Sequence, residues 1–226
     1  MKYIGMKIAI TGKMGSGKTY LAENISKKYG FYKASFAGRV KELASELFNM
    51  RGKDRGLLIN FATKMREIDE EVWIRSMMKN IHYKKNVIVD DLRLKNEYDK
   101  LRKNGWYIIK LDIDEERRKL QLKDKYGVDE AYQHIAYSNS VTENDVVGLS
   151  DESFDLVIRT KEDYAIFDSM VSTYLKEKEK GVRDRDRDRV GIYGDGRYDT
   201  DYDSNEDLVL GNEYDSNDKW AYRRRI

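Results

Sequence analysis

Residues 7–20 read KIAITGKMGSGKTY. The run KIAIT is short, apolar and unbroken, as expected of a strand buried on both faces. From Tyr20 to Tyr29 the apolar residues recur at three- and four-residue spacing, the period of a helix. Between strand and helix, Gly12, Lys13, Met14, Gly15, Ser16, Gly17, Lys18 and Thr19 fit the pattern G-x-x-x-x-G-K-[ST]. In that context the glycines let the backbone wrap close to phosphate oxygens, while the loop N–H groups and the helix N-terminus supply positive potential. Lys18 adds a point charge and Thr19 offers a hydroxyl to Mg²⁺. The stretch is read as a loop for the β- and γ-phosphates of ATP.

Outward from this loop, short β-type runs alternate with longer amphipathic ones. Strands are expected at 7–11, 32–37, 86–90, 106–113 and 154–160. Helices are expected at 20–29, 39–48, 56–65, 69–80, 94–104, 115–125 and 162–179. Alternating βα units imply a doubly wound α/β fold with ligands outside the carboxyl ends of the strands. The expected class is a three-layer P-loop NTPase fold with a five-stranded parallel sheet, occupying residues 1–180. Composition changes after Lys180: residues 181–226 carry nine basic and twelve acidic side chains, net −3, with few aliphatics. Such a stretch cannot bury enough apolar surface to offset its ordering entropy, so a disordered C-terminal tail is expected.

The charge balance narrows the partners. Residues 1–180 carry +5 and the whole chain only +2, so no chain-wide basic field argues for a nucleic-acid polymer or a membrane surface. The run RDRDRDR (183–189) alternates in sign and reads as a solvated linker. The 226 residues include no cysteine, which excludes disulfides, thiolate metal sites and cysteine nucleophiles. The N-terminus lacks a signal-peptide layout and no stretch is apolar enough to span a bilayer. A cytoplasmic protein is expected, with a homodimer left open.

A second site must say where the phosphate goes. NVIVDDLRLKNEYDKLRKNG (86–105) is a buried strand ending in Asp90 and Asp91, then Arg93, then a helix bearing Glu97. An acidic residue at such a strand tip can hold a magnesium-bound water. That role falls to Asp91, with Asp90 as its substitute. The guanidinium of Arg93 suits a phosphate held by two oxygens. Between about 114 and 155 the chain is polar, and Arg117 and Arg118 start a helix there, which suits a lid over the phosphates. Adjacent arginines point about 100 degrees apart on a helix, so one of the two is expected to reach the site. His82 and His134 are expected to be structural or solvated. The motif-like strings TKED (160–163) and DVVG (145–148) support a GTP-binding or non-catalytic alternative only loosely, because DVVG follows no apolar strand.

Asp91, Arg93 and Glu97, spaced D-x-R-x-x-x-E and followed by LRKNGWYIIKL, resemble the deoxynucleoside monophosphate kinases of bacteriophages and large DNA viruses. SFAGRVKELASELF (35–48) is similar to that family's segment after the second strand, with Lys41 on the matching helix. Arg55, Leu57, Thr63, Asp69 and Trp73 match its acceptor-side region. The resemblance covers about residues 7–175. It implies ATP and Mg²⁺ as cofactors and a small nucleotide as substrate. Lys41, Arg55, Trp73, Asp91, Arg93 and Glu97 would line the acceptor, and Arg117 or Arg118 would spread charge over the transferred group. A viral source would put the protein in the host cytoplasm. Phosphomevalonate kinases share the strand-end pattern and dephospho-CoA kinases the architecture, so both stand as alternatives.

Overall fold

A computed structural model describes residues 5–52, 54–129, 131, 135 and 145–191, with the backbone alone at 179 and 181–191. In chain order the elements are β1 (Lys7–Gly12), α1 (Lys18–Tyr29), β2 (Tyr32–Ala34), α2 (Phe36–Phe48), α3 (Arg55–Ile68), α4 (Val72–Asn80), β3 (Val87–Val89), α5 (Lys95–Lys103), β4 (Tyr107–Leu111), α6 (Glu115–Tyr126), a 3₁₀ turn (Asp151–Ser153), β5 (Leu156–Ile158) and α7 (Lys161–Gly191). The five strands form one parallel sheet in the order β2-β3-β1-β4-β5.

The alternation of side chains along β1 shows how the layers arise. Ile8 and Ile10 face α1 and α7, joining Leu21, Ile25, Phe167 and Val171 in one apolar cluster. Ala9 faces the other way and meets Ile74, Met77, Leu101 and Trp106. The central strands β1 and β3 therefore bury both faces, which is why their sequences are apolar runs rather than alternating. A third, smaller cluster of Val40, Ala62 and Trp73 holds α2, α3 and α4 together. These three helices occupy the whole connection between β2 and β3.

Several boundaries shift by a few residues from the expected ones, and two of the shifts are informative. The run at 32–37 leaves the sheet after Ala34 and turns helical at Phe36. The cause is distant in sequence: Asp91 accepts from the Phe36 and Ala37 amides and from Ser35 Oγ, and so caps α2. The final helix runs to Gly191, past the compositional break at Lys180. Compact units are Met1–Arg183, which holds the sheet, and Asp184–Ile226. The tail expected to be disordered lies, from residue 192 on, outside the described residues. Among the described residues no helix is long and apolar enough to cross a membrane.

Candidate phosphate-transfer cleft

All five strands point the same way, so their carboxyl ends share one edge of the sheet. At that edge the glycine-rich loop leaves β1 and enters α1. Its cradle is tight. A Cβ on Gly12 would lie 2.5 Å from the Leu111 carbonyl and 2.8 Å from Ser16 Oγ. Gly15 has φ +84°, and a Cβ there would lie 2.7 Å from Leu122 Cγ on α6. The turn closes with the Ser16 amide donating to the Lys13 carbonyl at 3.1 Å. Helix α1 begins after Gly17 with no side-chain cap, so its first amides point into the loop, the arrangement that suits an anion. The Lys18 ammonium lies across the loop and donates to the carbonyls of Gly12 (2.5 Å) and Lys13 (2.9 Å). Ser16 Oγ is buried without a hydrogen-bond partner among the described residues. An uncapped helix start, an orphaned hydroxyl and a lysine over a glycine cradle together fit a polyphosphate. Thr19 is exposed at the second position of α1.

Helix α6 is bolted to this loop. Arg118 is 2% exposed; its Nη1 donates to the Met14 carbonyl at 2.8 Å, while Nε and Nη2 grip Glu115 at 2.9 and 2.6 Å. Those hydrogen bonds hold the Glu115 carboxyl below the usual carboxylate range. Leu122 packs against Gly15 from the same helix. Arg118 is thus the arginine that reaches the loop, but its fork is spent on backbone and on Glu115. Arg117 is exposed. Lys13, Ser16, Asp112, Glu115 and Arg118 line a cleft of about 210 Å³ beside the loop. Of the expected lid, 114–155, the first part is this packed helix. The part around His134 lies outside the described residues.

Strand β3 pairs directly with β1, so the loop that follows it opens beside the phosphate cradle. Asp90 is 10% exposed at its side chain and ion-paired with Lys33 at 3.1 Å. Both oxygens of Asp91 are spent on the α2 N-terminus. Asp91, expected to organise Mg²⁺, thus caps α2, and its expected substitute Asp90 is paired with Lys33. Among the described residues no three acidic or imidazole groups gather as a metal cage.

The residues expected at the acceptor separate. Arg93 is exposed on the β3–α5 loop. Glu97 is 3% exposed and its Oε2 accepts from the Arg93 and Leu94 amides, both at 3.1 Å, closing the start of α5. Burial pushes its carboxyl up to about 7; the two amide bonds and Arg66 oppose the rise, and the Asp91 carboxylate adds to it. Trp73 is 2% exposed, its indole N–H donates to the Ala62 carbonyl and its ring packs edge-on against Phe61. It is a core residue of the three-helix unit, not a lining one. Lys41 is exposed on α2 and Arg55 half-buried at the start of α3. The sequence reading missed Glu115, Arg66 and the burial of Arg118. EERR at the head of a helix looks like solvated charge, and only the nonlocal contact with Met14 distinguishes it.

The rival motifs are accounted for locally. Asp163 of TKED accepts from the Arg159 and Thr160 amides and caps α7, which also holds its carboxyl below the ordinary value. DVVG is a turn whose Asp145 caps Lys95 and whose Val146 amide donates to the Arg93 carbonyl. His82 is exposed just before β3, at the edge of the sheet opposite the cradle.

A glycine-rich loop joining the first strand to the first helix of a five-stranded parallel sheet defines a P-loop α/β domain. Residues 8–134 match the family described as an AAA domain. That span is more than half of the 226 residues, and the chain belongs to that family. No curated protein matches the chain. Among solved structures, it is similar to the protein TT1252 from Thermus thermophilus, at 16% identity over 77% of this chain and 98% of that one, TM-score 0.46. A gluconokinase from Sinorhizobium meliloti aligns at 15% identity over 78% and 99%, TM-score 0.44. An uncharacterized protein from Eubacterium ventriosum aligns at 19% identity over 77% and 98%, TM-score 0.43.

Proposed function

We propose that the protein transfers the γ-phosphoryl group of ATP to a (deoxy)nucleoside monophosphate, giving ADP and the nucleoside diphosphate. One observation carries the reading. The phosphate cradle after β1 and the Arg93-bearing loop after β3 are neighbouring strand ends, with a three-helix unit inserted between β2 and β3. That geometry supports a donor and an acceptor phosphate meeting in one cleft.

In this reading Lys18, the loop amides and the start of α1 hold the donor. Thr19 and Asp90 would hold Mg²⁺, which supplies charge neutralisation at the bridging phosphate oxygens. An oxygen of the acceptor phosphate attacks the γ-phosphorus, and the bond to the β–γ bridging oxygen breaks with ADP as leaving group. The attacking oxygen is already anionic, so no general base is needed. The protein's part is alignment and electrostatic neutralisation. Arg118 keeps the cradle in shape by holding Met14.

Thermal shift in the presence of ATP analogue and Mg²⁺ tests the substrate class, because a ligand raises apparent stability by RT ln(1 + [L]/Kd). The panel is the nucleoside monophosphates, mevalonate phosphate and dephospho-CoA. The reading expects a nucleoside monophosphate to give the largest shift. A shift from one of the other two alone moves the assignment to the phosphomevalonate or dephospho-CoA class.

A further inference from the structure

The turn that joins α3 to α4 is tied to α5 at two points. Asn96 Nδ2 donates to the Glu70 carbonyl at 3.1 Å, and the Lys100 ammonium reaches Glu71 at 2.8 Å. Helix α5 starts where the β3 loop ends, so these ties hold the α3–α4 turn beside the Asp90–Arg93 loop. Arg66 stands in the last turn of α3, one helical turn before Glu70. It is half-buried, and its guanidinium makes no hydrogen bond to any described residue. A guanidinium carries five N–H donors in a rigid fork, and leaving them unspent while partly desolvated is costly. The carboxylate that attracts it does not claim the fork: Glu97 interacts with it through charge alone, its Oε2 being engaged by two amides. Burial accordingly holds the Arg66 guanidinium below its ordinary pKa.

Arg55, the other α3 arginine named for the acceptor, lies eleven residues earlier, about 16 Å along the helix axis at 1.5 Å per residue. A single phosphate beside the cradle cannot be gripped from both ends of that helix. The end of α3 that leads into the turn tied to α5 is the end that carries Arg66.

We infer that Arg66 is the cation that grips the acceptor's phosphate, a phosphate monoester held by the two-pronged fork against the carboxyl end of β3. This rests on the reading that the cleft takes a phosphate-bearing acceptor, and it names the residue that recognises it. Two parallel N–H···O bonds would orient the attacking oxygen as well as attract it, which a lysine at the same position does less well.

The test is calorimetric titration of the full-length protein, with the loop filled by Mg²⁺ and a non-hydrolysable ATP analogue. The titrants are the four deoxynucleoside monophosphates and mevalonate phosphate, all phosphate monoesters. At least one should bind wild type. Arg66→Gln should weaken it at least about 30-fold, about 2 kcal/mol at 1.4 kcal/mol per tenfold. Arg66→Lys should fall between, and the exposed Lys64→Gln should stay within about threefold, a spread under 0.7 kcal/mol. Unchanged affinity for the ATP analogue certifies the fold of each variant. If Arg66→Gln does not hold the analogue, Arg66→Lys carries the comparison. The inference is overturned if a variant that holds the analogue normally binds the ester like wild type, if Arg55→Gln loses more affinity than Arg66→Gln, or if no ester binds wild type. An ester bound through Arg66 but never phosphorylated would sink the kinase reading and keep this one. A nucleoside monophosphate phosphorylated equally well by Arg66→Gln would do the reverse.

Discussion

The two sides of the cleft are built in opposite ways. On the donor side, eight consecutive residues make the whole cradle, and their chemistry is carried by backbone amides and one lysine. On the acceptor side, the charged groups come from β3, α3 and α5, and most are consumed in holding helices in place. Asp91 caps α2, Glu97 closes the start of α5, and Trp73 fills the three-helix core. A site made from backbone is local and leaves a contiguous signature. One made from side chains on separate elements exists only after the chain has folded, and its members look alike whether they bind a ligand or a helix end.

The largest effect that sharpens this contrast is expected at Lys18. Lys18→Ala should leave the fold intact while cutting turnover at least a hundredfold, because losing a cation aimed at developing charge costs on the order of 3 kcal/mol or more. Circular dichroism alongside initial rates checks it. Near-normal turnover in a folded variant breaks the donor-side account.

On the acceptor side, the comparable effect is one of stability and pH. The carboxyl of Glu97 stands at about 7 in the folded protein against an ordinary value of 4.5. The folded state therefore binds more protons than the unfolded chain between those values, and stability falls as pH rises through the window and stays reduced above it. Glu97→Gln keeps an oxygen for the two amides and removes the charge. It should match wild type near pH 4.5 and be more stable by about 3 kcal/mol above pH 7.5, roughly 5–10 °C in Tm. Parallel Tm profiles for the two proteins would show that Glu97 is not a buried, charge-penalised cap.

Gly15→Ala tests the junction between the cradle and α6. The left-handed backbone costs an alanine about 1–2 kcal/mol, and its methyl would overlap Leu122. A loss of about 2 kcal/mol is expected, with weaker ATP analogue binding. Partial recovery in Gly15→Ala with Leu122→Ala would assign the overlap to that contact. A neutral Gly15→Ala would mean that α6 does not clamp the loop.

The smallest effect is expected at the chain end. Among the described side chains of α7, those packed on the core run from Tyr164 to Leu175. Ending the protein at Lys180 should move Tm by less than about 2 °C, under 1 kcal/mol for a domain of this size. A large drop in Tm or loss of turnover would make residues 181–226 structural.

How much of this is legible in the sequence follows the same division. The central strands β1 and β3 are readable, because strands buried on both faces read as apolar runs. The cradle is readable, because G-x-x-x-x-G-K-[ST] between strand and helix has one use. The end of β2 is not, since the residue that turns Phe36 into a helix start is Asp91, far along the chain. Nor is the difference between Arg117 and Arg118, identical neighbours of which one is buried against Met14. Arg66 carries no local signal at all; it is set apart by the ties between the turn after α3 and α5.

The central claim is that one cleft brings a donor and an acceptor phosphate together. Initial rates of ADP formation, with ATP and each deoxynucleoside monophosphate varied in turn, test it most directly. The account predicts that at least one monophosphate accelerates ATP consumption a hundredfold or more, about 2.7 kcal/mol of barrier, with intersecting double-reciprocal lines that mark a ternary complex. ATP consumption indifferent to every monophosphate, or parallel lines that mark a phosphorylated protein intermediate, would contradict it.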